Sequence, residues 1–300
     1  MRLTTKATAL FAAAVIASGL AGCASTTPPS DDGTISIVAS TNVWGDVAKQ
    51  IGGDAIHVTS IISDPAQDPH SYEANAQVQL ALSKADIVIE NGGGYDDFVG
   101  TLLGGAGNST ARILNAVKIS GFDQAEGLNE HVWYDIPTVR KVAARIATSL
   151  TALDSSQSAT FAAHQKTFDD ALAGLEAEEA TIKAGPAAGE GVAITEPVPL
   201  YLLSASGLVD KTPAAFSEAI EEGMDVAPDV LRKTLALFTE HRVALLAYNE
   251  QTGGPETDQV LAAAKTAGVP TVGMTETLPE GKDYLSWMTD NLHAVKAALG

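Results

Sequence analysis

Short apolar runs alternate with stretches of helical periodicity along the chain after residue 34, which is the pattern of parallel α/β units. The first set of runs predicts four strands, at Ile35–Ala39, His57–Ile62, Asp86–Glu90 and Ile113–Ile119. The stretches between them predict helices near Asn42–Ile51, Ala76–Lys84 and Asp96–Leu103. A second set predicts strands at Val192–Thr195, Val243–Tyr248 and Val269–Gly273, again separated by helical stretches. We therefore expect an α/β fold with two lobes, each a parallel sheet with flanking helices.

A different kind of segment lies between the two sets. Apolar residues recur at helical spacing through residues 155–185, and Gly185-Pro186 follows as a helix stop. About 30 residues of helix would be about 45 Å long at 1.5 Å per residue. The pattern predicts one long, rigid connector helix joining an N-terminal lobe at 34–154 to a C-terminal lobe at 186–300.

The N-terminus has the features of a bacterial export signal. Arg2 and Lys6 precede 14 mostly small and apolar residues, a run too short to span a bilayer comfortably. The run leads into Leu-Ala-Gly-Cys23, which resembles the lipoprotein box whose cysteine is lipidated and becomes the mature N-terminus. An ordinary secretory signal with a chance cysteine is the alternative. We expect a signal peptide at 1–22, a lipid anchor on Cys23, a flexible tether at 23–33 and a folded part on the extracytoplasmic face of the cell membrane.

Composition excludes several function classes. The 300 residues include 18 Lys or Arg and 37 Asp or Glu, so the formal net charge of -19 argues against a nucleic-acid partner. The single cysteine excludes an internal disulfide and a thiolate metal cluster. Apolar residues make up 45% of the chain, which argues against disorder along its length.

Two of the six histidines lie in sequence surroundings suited to a ligand site. His70 ends a proline-containing loop after the second predicted strand, where open α/β sheets place ligands. His131 is followed by Val-Trp-Tyr, an aromatic pair that could exclude water from an ion site, although a packing cluster at a helix start is the alternative. The other four have ordinary positions in a strand, in helices or at a helix end: His57, His164, His241 and His293.

These motifs resemble the metal-binding solute-binding proteins of ABC importers, the cluster that carries zinc or manganese to a permease. The resemblance rests on Asp68-Pro69-His70 and on the His-Val-Trp-Tyr-Asp run that starts at His131. It extends to the first strand, to the turn at 91–96 and to the segment Tyr284–Leu292, and so covers essentially the whole mature chain.

The resemblance implies one divalent ion in the interlobe cleft, held by two side chains from each lobe. By position, His70 and His131 are the N-terminal ligands and Glu196, before Pro197, is the third. Glu276 stands where the family more often has Asp, one methylene shorter. The resemblance also implies a monomer that is not an enzyme and that delivers its ion to a membrane permease with a cytoplasmic ATPase.

The identity of the metal stays open between manganese and zinc. Two carboxylates are hard donors that favour manganese, and the His-rich loop of many zinc-specific members is absent from residues 120–130. Zinc nevertheless outranks manganese at most nitrogen and oxygen sites. A metalloenzyme and a surface adhesin on the same scaffold are the alternative functions, and residues 213–225, an extra helical turn relative to the family pattern, receive no role.

Overall fold

The computed structural model describes residues 33–64, 72, 75–123 and 127–300. The predicted signal peptide, Cys23 and most of the tether lie outside these residues. Within them, residues Thr34–Gly300 form one compact unit.

Each half of the chain builds one four-stranded parallel sheet. The first sheet has the order β2-β1-β3-β4, with strands β1 Ile35–Thr41, β2 Ile56–Ile62, β3 Ile87–Glu90 and β4 Arg112–Asn115. The second has the order β6-β5-β7-β8, with strands β5 Gly191–Ile194, β6 Val209–Asp210, β7 Leu245–Asn249 and β8 Thr271–Met274. All six pairings are parallel. We call the two halves the N-terminal and C-terminal lobes, and the two-lobe α/β prediction is confirmed.

Helices cover the sheets and connect the strands. Those of the N-terminal lobe are α1 Asn42–Gly52, α2 Ala76–Lys84, α3 Phe98–Ala106, α4 Ala116–Ser120 and α5 Ile136–Leu153. The long helix is α6 Ser158–Lys183. Those that follow are α7 Leu200–Ala205, α8 Ala214–Glu221, α9 Pro228–Thr239, α10 Pro255–Ala267 and α11 Tyr284–Leu299. Within the described ranges, no helix is both long and apolar enough to cross a bilayer.

One predicted strand is partly wrong. Of the run Ile113–Ile119, only the first residues belong to β4, and the rest form α4. Asn115 explains the change, because its side chain accepts a hydrogen bond of 2.8 Å from the backbone N–H of Lys118 and so caps a helix. Gly121 ends that helix in the left-handed conformation. A short apolar run cannot distinguish a buried strand from a buried helix, so only the cap separates them.

The long helix between the sheets is present. Its apolar residues at helical spacing are buried at no more than 6% exposure: Phe161, Phe168, Leu172, Leu175 and Ile182. They belong to the same hydrophobic core as residues of α1, α5 and α11. Burial of this stripe, rather than helix propensity alone, stabilises a helix of 26 residues.

The loop after β8 is hydrogen-bonded to the N-terminal lobe. The side chain of Asn42 donates to the carbonyl of Leu278 and accepts from its N–H, both at 2.9 Å. The Tyr134 hydroxyl donates to the carbonyl of Thr275 at 2.8 Å. We call residues 275–278 the bridging loop, because it follows a strand of one lobe and is held by side chains of the other.

Candidate metal centre

A cleft of about 890 Å³ is lined by two of the four candidate ligands, Glu196 and Glu276. Its walls come from both lobes: Gly93, Leu128 and Glu130 on the N-terminal side, and Glu196, Glu221 and Glu276 on the other. The C-terminal residues follow strands of their sheet or end a helix beside it, in agreement with the general placement of ligand sites in open α/β sheets.

His131 is fully buried in front of a single helical turn at Val132–Tyr134. The side-chain oxygen of Asn129 accepts from the backbone N–H of His131 at 3.0 Å, so this atom is an acceptor. The same oxygen lies 2.8 Å from Nδ1 of His131, which must therefore carry a proton. In the neutral imidazole the lone pair is then on Nε2. A histidine that binds a metal is typically oriented by an acceptor on its other ring nitrogen, as the Asn129 oxygen is here.

Glu196 and Glu276 come from neighbouring parts of the C-terminal sheet. Glu196 lies two residues after β5 and is 2% exposed, while Glu276 lies two residues after β8 and is 3% exposed. The side-chain amide of Asn249, the last residue of β7, donates to Glu196 Oε2 at 2.8 Å and to Glu276 Oε1 at 2.7 Å. This one amide holds two buried carboxylates side by side and offsets part of their repulsion.

The two lobes meet at His131 and Glu276. Nε2 of His131 lies 4.0 Å from Oε2 of Glu276, and the Tyr95 hydroxyl donates to the same oxygen at 3.3 Å. Two ligands that are each about 2.0–2.2 Å from a zinc ion lie at most about 4.3 Å apart. The spacing therefore allows one ion to touch both side chains.

Two buried aromatic rings pack against His131 and form an apolar wall. The Trp133 ring centroid lies 5.1 Å from that of His131, and the Tyr95 centroid lies 5.9 Å from it, both edge-on. Trp133 and Tyr95 are each 1% exposed. Such a wall excludes water and strengthens electrostatic interactions inside the cleft.

Of the four predicted ligands, the structure brings three together: His131, Glu196 and Glu276. The fourth, His70, lies outside the described residues, so its place as a ligand stays a prediction.

Glu221 is a cleft residue that the sequence did not single out. It ends α8 inside residues 213–225, and burial raises the pKa of its carboxyl to about 8, helped by the negative charges of Glu130, Glu196 and Glu276. Asn249 and Tyr95 were missed as well. The only sequence signal for them is their position, Asn249 at a strand end and Tyr95 beside the glycine turn.

Comparison with known proteins identifies the family. The family model for the periplasmic zinc-uptake complex component A, ZnuA, matches residues 37–298. The chain belongs to this family. Its members are substrate-binding components of transporters, which is the class that the sequence motifs predicted.

Curated relatives match over nearly the whole length. The manganese ABC transporter substrate-binding lipoprotein scaA of Streptococcus gordonii is 25% identical over 308 residues, covering 94% of each chain. The manganese ABC transporter substrate-binding lipoprotein PsaA of Streptococcus pneumoniae is 23% identical, covering 100% of this chain and 99% of its own.

Solved structures share the two-lobe fold. The periplasmic zinc-binding protein TroA of Treponema pallidum superposes with a TM-score of 0.75 at 19% identity, covering 89% of this chain and all of its own. The solute-binding protein FpvC of P. aeruginosa, in complex with Ni²⁺, gives a TM-score of 0.73 at 21% identity, covering 89% of this chain and 97% of its own.

Proposed function

We propose that this protein captures a divalent metal ion in the interlobe cleft and delivers it to the membrane permease of an ABC importer, whose ATPase is cytoplasmic. The observation that carries the proposal is the meeting of a buried imidazole from one lobe with buried carboxylates from the other. His131 presents Nε2 at 4.0 Å from Glu276, and Asn249 ties Glu276 to Glu196. His70 completes the set by sequence position.

The chemistry of these side chains suits capture and release. Four protein ligands would fill a tetrahedral shell, whereas a catalytic metal site keeps an open position for water or substrate. The carboxylates of Glu196 and Glu276 would balance the charge of a divalent ion. We therefore propose a binding protein rather than an enzyme, acting as a monomer.

We propose manganese as the physiological cargo, with zinc as the alternative. Carboxylate oxygens favour manganese relative to an all-imidazole site, and two relatives that match over 94% and 99% of their own length are named for manganese. Lipidation of Cys23 would hold the protein at the extracytoplasmic face of the membrane, beside its permease, as the lipoprotein names of these relatives suggest.

Thermal unfolding of metal-stripped protein tests the proposal. A ligand at 100 times its Kd stabilises the native state by about 2.7 kcal/mol, which raises the Tm of a chain of this size by about 5–10 °C. Addition of MnCl₂ or ZnCl₂ should produce this shift, and His131→Ala should lose most of it. His293→Ala is the control, because this exposed histidine lies on α11 and should leave the shift intact. An unchanged shift in His131→Ala would refute the site assignment.

A further inference from the structure

The carboxylate of Glu221 enters the cleft from a helix with no role so far. Glu221 is the last residue of α8, and its side chain is only 13% exposed. Its Oε1 atom is buried and has no hydrogen-bond partner within the part of the chain that the structure describes. A buried carboxylate oxygen without such a partner is costly, and a bound cation would relieve that cost.

Glu221 lies closer to the His131 imidazole than the predicted ligand Glu276 does. Its Oε1 lies 3.6 Å from Nε2 of His131, compared with 4.0 Å for Glu276 Oε2. At 3.6 Å the two atoms are too far apart for a hydrogen bond. They are close to the separation of about 3.4 Å expected for two ligands that share one tetrahedrally bound ion.

A second carboxylate belongs to the same cluster. Glu130, His131 and Glu221 each offer one ligand atom, and these atoms all lie within 4.8 Å of one another. The cluster is more than a group of acidic residues, because its centre is a fully buried imidazole whose lone pair Asn129 fixes on Nε2. Nε2 carries that lone pair and lies 3.6 Å from Oε1 of Glu221.

We propose that Glu221 is a further ligand of the captured ion, in addition to His131, Glu196 and Glu276. This inference rests on the proposed function and deepens it. A third carboxylate, which can bind through one oxygen or two, raises the number of ligand atoms around the ion above the four that zinc prefers in closed protein sites. It also adds a hard oxygen donor, the kind that suits manganese. Glu221 is thus a specificity-determining residue that favours manganese.

Three variants separate a ligand from a merely negative neighbour. Glu221→Gln removes the charge and keeps the shape. Glu221→Asp keeps the charge but withdraws the oxygen by one methylene. Glu222→Gln removes the same charge from the next residue, which is exposed at the rim of the same cleft.

Titration of the metal-stripped full-length chains with MnCl₂, and with ZnCl₂ against a competing chelator, measures the effect. We expect Glu221→Gln and Glu221→Asp to raise the Kd for manganese at least tenfold and the Kd for zinc by a smaller factor. Glu222→Gln should stay within about threefold of wild type for both ions. X-ray absorption of the manganese-loaded protein should show fewer oxygen ligands in Glu221→Gln than in wild type. Thermal melting of the stripped variants confirms that each is folded.

The outcomes distinguish this inference from the proposed function. If wild type binds manganese or zinc but Glu221→Gln behaves like Glu222→Gln, Glu221 is not a ligand and the proposed function stands. If Glu221→Asp binds as wild type does, the carboxylate acts only through its charge, and the inference is overturned. If wild type binds neither ion, the proposed function fails and the inference fails with it.

Discussion

Glu179 is a buried carboxylate that should make the stability of this protein fall as pH rises. It lies on the buried face of α6 at 6% exposure, and its Oε1 has no hydrogen-bond partner among the residues that the structure describes. Burial, helped by the negative charges of Glu176 and Asp135, raises the pKa of its carboxyl from 4.5 to about 7. The native state therefore favours the protonated form.

The sign and size of the effect follow from proton linkage. Between pH 4.5 and 7 the native state binds more protons than the unfolded chain, so raising the pH destabilises the fold. Below pH 4.5 both states are protonated and the effect is absent; above pH 7 it is complete. Each pKa unit is equivalent to about 1.4 kcal/mol. Because relaxation and water penetration screen a buried charge, we expect about 2 kcal/mol for Glu179.

Urea unfolding of metal-stripped wild type and Glu179→Gln from pH 4.5 to 8 measures this difference. The two proteins should have similar free energies of unfolding at pH 4.5, and the variant should be about 2 kcal/mol more stable at pH 8. Glu178→Gln is the control, because the Lys296 ammonium lowers the pKa of this neighbouring carboxyl, and its loss should bring no gain at pH 8. Parallel pH profiles for wild type and Glu179→Gln would refute the reasoning.

Two further predictions concern the site and the anchor. Asn249→Ala removes the amide that Glu196 and Glu276 share, and it should raise the metal Kd about 10–100-fold, as loss of other groups that orient metal ligands does. Thr252→Ala is the control, because it loses only a contact to that amide. In the same titration it should bind metal nearly as wild type does. Cys23→Ser should move the protein from the membrane fraction to the soluble fraction without changing its metal affinity, and a variant that remains membrane-bound after a salt wash would contradict lipidation.

The sequence was sufficient for the architecture because the strands and helices are strongly patterned. Predicted helix α2 agrees with the observed bounds, and most strands shift by one or two residues. The main error, at Ile113–Ile119, arose where an apolar run contains a helix cap. The two-residue strand β6 was missed because it is too short to show a period.

The candidate site was predictable only in part. Glu196 and Glu276 could be located because each follows a strand in a position where the family pattern has a ligand. Glu221 could not, because its burial depends on how α8 packs against distant parts of the chain. Asn249 is similar: its amide is informative only once the ends of β5, β7 and β8 lie together in the folded sheet.

The bridging loop has a consequence for the order in which the chain can fold. Residues 275–278 acquire their hydrogen-bond partners from Asn42 and Tyr134, which are 236 and 141 positions earlier in sequence. The N–H of Tyr284, at the start of the last helix, donates to Asp46 in the same way. Contacts this distant are slow to form because a long loop must close first. The carboxylate of Glu276 can therefore reach its place only after residues 275–284 have returned to the first lobe. The metal site is thus complete only once this segment, which follows the last strand, has folded back.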